Sequence, residues 1–403
     1  MRTSSVTASG VAPAAPTATR VAARAESLPW TVLALAVGAT SIVVGVIWDI
    51  SWHSTIGRDT FWTPAHMAIY LGGVVGGLVS GWMVLRMTFG KHSEATAAGV
   101  RFWGFRGPLG AWWAIWGAIA MLTSAPFDDW WHNAYGLDVE ILSPPHTVLA
   151  LGMFGVTLGG LILAAALHNR VTQSGSRVRG QGVIFAYTAG VVLALIAVLA
   201  TEYRQTNLQH AATFYLVMAA LVPLFLLAPA RAVHLRLPAT TIAAVYMLLN
   251  LAMIWILPQF SATPLLGPIY NPVDHMVVDV WPLLLVVPAF GLDLLLRAWQ
   301  RRARRPGGDW TLALLAGVVF FALFLAVQWP FSAFLLSEKA RNAFFATDLS
   351  WSYGARPGPW MHRFWALEGD PFTLRSAALA VVLAVTSSRL ALAWGSWMAR
   401  VKR

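Results

Sequence analysis

Residues 30–85 read WTVLALAVGATSIVVGVIWDISWHSTIGRDTFWTPAHMAIYLGGVVGGLVSGWMVL, two apolar runs with a polar turn between them. Each run is close to the roughly 20 residues that cross a bilayer. A charged turn between two such runs gives a helical hairpin in a membrane. Ten such segments are expected along the chain, at about 30–53, 64–88, 108–128, 144–168, 182–201, 209–230, 237–257, 273–297, 310–330 and 371–398. The expected fold is therefore all-α, a polytopic membrane helix bundle of about ten transmembrane helices.

Composition agrees. Of 403 residues, 58% are hydrophobic and 11% charged, whereas soluble domains have about 45–50% and about 25%. That excludes a disordered chain and a disulfide-stapled secreted module. The 21 tryptophans against 8 tyrosines suit repeated contact with lipid headgroups. There is no cysteine, so a metal must be held by nitrogen and oxygen donors. Residues 1–29 lack an apolar stretch and read as a disordered cytoplasmic tail and not as a signal peptide.

The net charge of +11 does not indicate nucleic acid, and none is expected as a partner, because the charges sit in short loops between apolar runs. With the N-terminus inside, 20 of the 28 Lys and Arg fall on the cytoplasmic side, with only Glu26, Glu94, Asp293 and Asp309 beside them. This asymmetry places both termini in the cytoplasm of a cell membrane. The cluster Arg297, Arg301, Arg302, Arg304 and Arg305 reads as an inner anchor on anionic lipid.

A repeat with an offset of 79 residues is the most informative pattern. Asp49, Trp52, His53, Gly57 and Asp59 match Asp128, Trp131, His132, Gly136 and Asp138, and His66 matches His146 one residue later. Asp49 and His53 are four apart, as are Asp128 and His132, so each pair shares a helix face. Thr63-Pro64 and Ser143-Pro144 are cap-plus-proline starts. They put His66 and His146 in the first turn of the returning helices. Each hairpin thus gathers one carboxylate and two imidazoles near the extracytoplasmic surface, where ionisable groups are costly and point to function. Gly72, Gly73, Gly76, Gly77 and Gly81, with Gly155 and Gly159, are spaced for close helix approach.

The stretch DISWHSTIGRDTFWTPAH, residues 49–66, resembles the C subunit of copper-dependent membrane monooxygenases, the particulate methane and ammonia monooxygenases. That family has a D-G-S-W-H-x-T-I-x-R-D-T-x-F-T-P-x-H stretch whose Asp and two His bind copper. The resemblance spans about residues 30–170 and implies copper ligation by Asp49, His53 and His66, with Arg58, Asp59, Thr63 and Pro64 matching the intervening motif. A neighbouring copper position in the family uses Asn and two His. Here Asp128, His132 and His146 take those places, with Asp for Asn. The resemblance further implies a part in O2-dependent hydroxylation of a small substrate. It also implies partner subunits, one carrying a separate copper-binding soluble domain.

By themselves, two imidazoles and a carboxylate suit non-haem iron as well as copper. A non-catalytic copper carrier, a haem protein using His66 and His146, and an ion-coupled transporter use the same residue types. Arg58, Asp59, Asp138, Glu202, His210, Asp274 and His275 are candidate supporting groups around the sites. Asn271-Pro272 reads as another helix start that sets His275 and Asp279 four apart on one face. Residues 171–403 are expected as a six-helix membrane domain, with an aromatic, Gly- and Pro-rich outer loop at 331–370 that suits an interfacial lid.

Overall fold

The computed structural model describes residues 29–57, 60–90, 99–136, 143–174, 179–301, 308–355 and 367–402; the expected tail, 1–29, lies almost wholly outside them. Ten α-helices are present among these residues: α1 Trp30–Thr55, α2 Pro64–Phe89, α3 Leu109–Tyr135, α4 Pro144–Gln173, α5 Arg179–Leu199, α6 Ala212–Ala232, α7 Pro238–Ile256, α8 Val286–Gln300, α9 Gly308–Leu335 and α10 Leu374–Met398. The only sheet among them is a two-stranded hairpin between α2 and α3, Val100–Phe102 against Phe105–Gly107. Eight helices are long and apolar enough to cross a membrane, which is the build of a multi-pass membrane protein. The other two differ for separate reasons. Helix α8 has only 15 residues. Helix α3 has 27, but its apolar run carries Trp112, Trp113 and Trp116 and its last turns carry Asp128, Asp129, His132 and Asn133.

Helices α1 with α2 and α3 with α4 form closely packed hairpins, and α2 lies against α3. Glycine makes the second hairpin possible. A Cβ on Gly117 would stand 2.6 Å from the Gly152 carbonyl oxygen and 2.5 Å from the Val156 nitrogen. Backbone cannot yield there as a flexible side chain can. Gly72 meets Gly38 of α1 in the same way, whereas Gly81 faces open space within 4 Å. Gly117→Ala is therefore expected to destabilise the protein by about 1–3 kcal/mol through overpacking. Gly81→Ala should leave thermal unfolding in detergent unchanged.

One expected span is corrected. Residues 273–285 are not helical, and α8 begins only at Val286. The stretch is apolar, but Val277, Val278 and Val280 favour extended backbone and Pro282 removes a helix donor. Non-helical backbone at this depth must be buried and bonded within the protein, and it is. The Val277 N–H donates to Thr55 Oγ1 at 2.8 Å, that of Val278 to the Leu349 carbonyl at 3.0 Å, that of Leu283 to Tyr246 Oη at 3.0 Å, and that of Leu284 to Gln328 Oε1 at 3.0 Å. Asn271-Pro272 accordingly starts no helix, and His275 and Asp279 share no helix face.

The described part of the 331–370 loop packs on the end of α1. The Tyr353 N–H donates to the Ser54 carbonyl at 3.0 Å. Gly57, at φ +76°, lies where a Cβ would collide with the Tyr353 hydroxyl, so two separate constraints require glycine there. Trp360, His362 and Trp365 of this loop lie outside the described residues.

Candidate metal centre

Both returning helices start as their local chemistry dictates. Thr63 Oγ1 accepts the His66 N–H at 3.2 Å, and Ser143 Oγ accepts that of His146 at 3.4 Å, with proline in the first turn of each helix. The caps fix where the first turn begins, and so where the third imidazole of each set points.

In the second hairpin, His132 Nε2 lies 3.2 Å from Asp128 Oδ2, and His146 Nε2 lies 3.4 Å from Asp128 Oδ1. Ligand atoms of all three residues fall within 4.8 Å of one another, a grouping no other three such residues reach among those described. In the first hairpin, His66 Nε2 lies 3.2 Å from Asp49 Oδ1, but His53 Nε2 is 3.9 Å from Asp49 Oδ2. Two donors on one ion at about 2.0–2.2 Å stand about 2.8 to 3.6 Å apart for bond angles of 90–110°. Both carboxylate–imidazole separations in the second set fit that range, and one in the first does. The set whose motif resembles the monooxygenase family more closely is thus the looser of the two.

Imidazole orientation adds a stronger constraint. His132 Nδ1 lies 3.2 Å from the Gly136 carbonyl oxygen, and His66 Nδ1 lies 3.2 Å from that of Thr60. A carbonyl only accepts, so each Nδ1 carries the proton. In neutral imidazole, Nε2 then presents a lone pair to the carboxylate. Two lone pairs at 3.2 Å repel unless a cation or a proton lies between them. Asp49 Oδ1 and Asp128 Oδ1 are moreover buried atoms with no hydrogen-bond partner among the described residues, despite the nearby nitrogens. A histidine donating its far N–H to a backbone carbonyl is the usual support for a metal-bound imidazole. The donor set fits a transition metal.

Of the other candidates, Arg58, Asp59 and Asp138 lie outside the described residues. Glu202 is exposed in the short turn Thr201–Tyr203. His210 packs edge-on against Trp329, ring centroids 4.6 Å apart, and burial holds its imidazole below its ordinary pKa. Asp274 accepts from His275 Nδ1 at 2.9 Å, which holds its exposed carboxyl below the usual range. His275 itself lies two residues before the Val277 N–H that binds Thr55 at the end of α1.

A buried amide network links α9 to the turn before α6, outside the residues that the sequence pattern singles out. Gln328 Nε2 donates to Gln209 Oε1 at 2.7 Å, and Ser332 Oγ donates to the same oxygen at 2.6 Å. A lone glutamine in the apolar run of α9 was the available signal.

Comparisons with protein-family models, with curated proteins and with solved structures give no match to this chain.

Proposed function

We propose that the chain is a copper-binding integral membrane protein of the monooxygenase C-subunit type. Its α1–α2 and α3–α4 hairpins are two copies of one metal-binding unit spanning about residues 30–170. Asp49, His53 and His66 hold one ion; Asp128, His132 and His146 hold the other. The observation that supports this reading is the orientation of the His66 and His132 rings, each with Nδ1 3.2 Å from a backbone carbonyl oxygen. Each sets Nε2 against a carboxylate oxygen, and in each set one carboxylate oxygen, Asp49 Oδ1 beside His66 and Asp128 Oδ1 beside His146, has no hydrogen-bond partner among the described residues. Bound copper would supply redox chemistry with O2 for hydroxylation of a small substrate. The carboxylates lower the net charge of each site, and the ligand side chains, 18–33% exposed, leave it open to a small substrate. The distribution of basic residues supports cytoplasmic termini, with both sites toward the extracytoplasmic side. Other subunits of this enzyme type, including a soluble copper-binding domain, are the expected partners.

The test is elemental analysis of detergent-purified protein, paired with an O2-consumption assay in the presence of reductant. Copper with O2-dependent product supports the proposal. Copper without product indicates a carrier, iron indicates a non-haem iron protein, and folded protein without metal leaves protons between the imidazoles and carboxylates.

A further inference from the structure

Helix α3 runs through Pro126. Proline leaves the Leu122 carbonyl without its helical donor. Beside this turn lies a groove of about 540 Å³ between α2 and α3. Met67 and Tyr70 of α2 form one wall, Leu122 and Pro126 of α3 the other, and Phe61 and Trp62 close the end nearest the loop.

The lining is apolar except at one point. Leu122, Pro126 and Asp129 follow one face of α3 over seven residues, about 10 Å of rise. Asp129 therefore stands at the loop end, turned about 100° around the helix from Asp128. The Asn133 amide donates mainly to the Asp129 carbonyl, at 2.8 Å, and reaches Oδ2 only at 3.5 Å. No lysine or arginine pairs with this carboxylate among the described residues. Three aromatic rings cluster at the same end of the groove, Phe61 lying 4.8 Å from Trp62 and 5.3 Å from Tyr70.

Exposed Leu71, Leu78 and Trp82 on α2, with Trp116 and Ile119 on α3, continue the apolar surface below the groove, so it opens sideways onto hydrocarbon. An anionic end with aromatic faces, set above an apolar trough, matches an ammonium head joined to an alkyl chain. We infer that the groove binds a bilayer lipid with an ammonium headgroup, its ammonium against Asp129 and the aromatic rings and its acyl chain along Met67 and Leu122. This site is separate from the carboxylate–histidine sets, although α2 and α3 each carry residues of one of them.

Native mass spectrometry of the full-length protein tests the inference, using an equimolar mixture of phosphatidylethanolamine and phosphatidylglycerol. The expected result is retention of phosphatidylethanolamine with about three- to tenfold preference, the scale of a partly exposed ion pair with a cation–π contact. Asp129→Asn should remove that preference while phosphatidylglycerol binding persists. Met67→Trp, which fills the trough, should reduce retention of both lipids at unchanged thermal unfolding. Equal retention of the two lipids by the wild type would overturn the inference, as would full preference in Asp129→Asn. So would retention of dodecylamine by a protein that does not retain phosphatidylethanolamine.

Discussion

Asp128→Ala is expected to weaken metal binding at the second hairpin by about a hundredfold or more, since loss of a mere supporting group costs about 10–100-fold. Each oxygen of this carboxylate addresses a different histidine, His132 at 3.2 Å and His146 at 3.4 Å. In the proposed site, removing it would therefore take away a ligand, the charge that offsets the ion, and the group both imidazoles face. His53→Ala should cost less, because His53 stands 3.9 Å from Asp49 and the first set is already open. Metal titration against a competing chelator, with the two variants side by side, gives both numbers. Equal affinity in wild type and Asp128→Ala would remove the second hairpin as a metal site. A greater loss in His53→Ala would show that the looser set is the principal one.

The parts of this site legible in the sequence are those written in local chemistry. A four-residue step puts Asp and His on one helix face whatever the rest of the chain does. Thr63-Pro64 and Ser143-Pro144 set the helix starts because the cap and the proline act within one turn. The difference between the two sets was not legible. It depends on the tertiary packing of each hairpin, where Gly72 meets the backbone of Gly38 in the first and Gly117 meets that of Gly152 and Val156 in the second.

The expected helix at 273–297 shows a second limit. Hydropathy reports whether a segment is apolar and says nothing of its backbone. The chain at 273–285 is stable without a helix because Thr55, Tyr246 and Gln328 satisfy its N–H groups from 222, 37 and 44 residues away. No window along the sequence contains those partners. The groove at Pro126 is similar, since its two walls come from different hairpins.

The same extended segment holds the most consequential ion pair. The Arg204 guanidinium has no exposed surface, and the Asp279 side chain is 6% exposed. Arg204 Nη2 donates to Asp279, Nε donates to the Ala197 carbonyl at 2.7 Å, and Asp279 Oδ1 accepts the Val280 N–H at 2.8 Å. Arg204 Nη1 has no hydrogen-bond partner among the described residues, so the aspartate is the main compensation for a buried charge. Asp279→Ala strands that charge and is expected to cost about 3–5 kcal/mol, whereas replacing both members with apolar residues of similar volume is often neutral. Arg204→Met with Asp279→Leu should thus unfold nearer to wild type than Asp279→Ala does, as read by thermal unfolding in detergent. A metal readout separates this pair from general fragility. Val277, two residues before Asp279, anchors on Thr55 at the end of α1, so loosening the segment should release metal from the Asp49 set before the Asp128 set. If the double variant is as damaged as the single one, the pair acts through shape and not through charge. Simultaneous metal loss from both sets would mean that the extended segment does not steady α1.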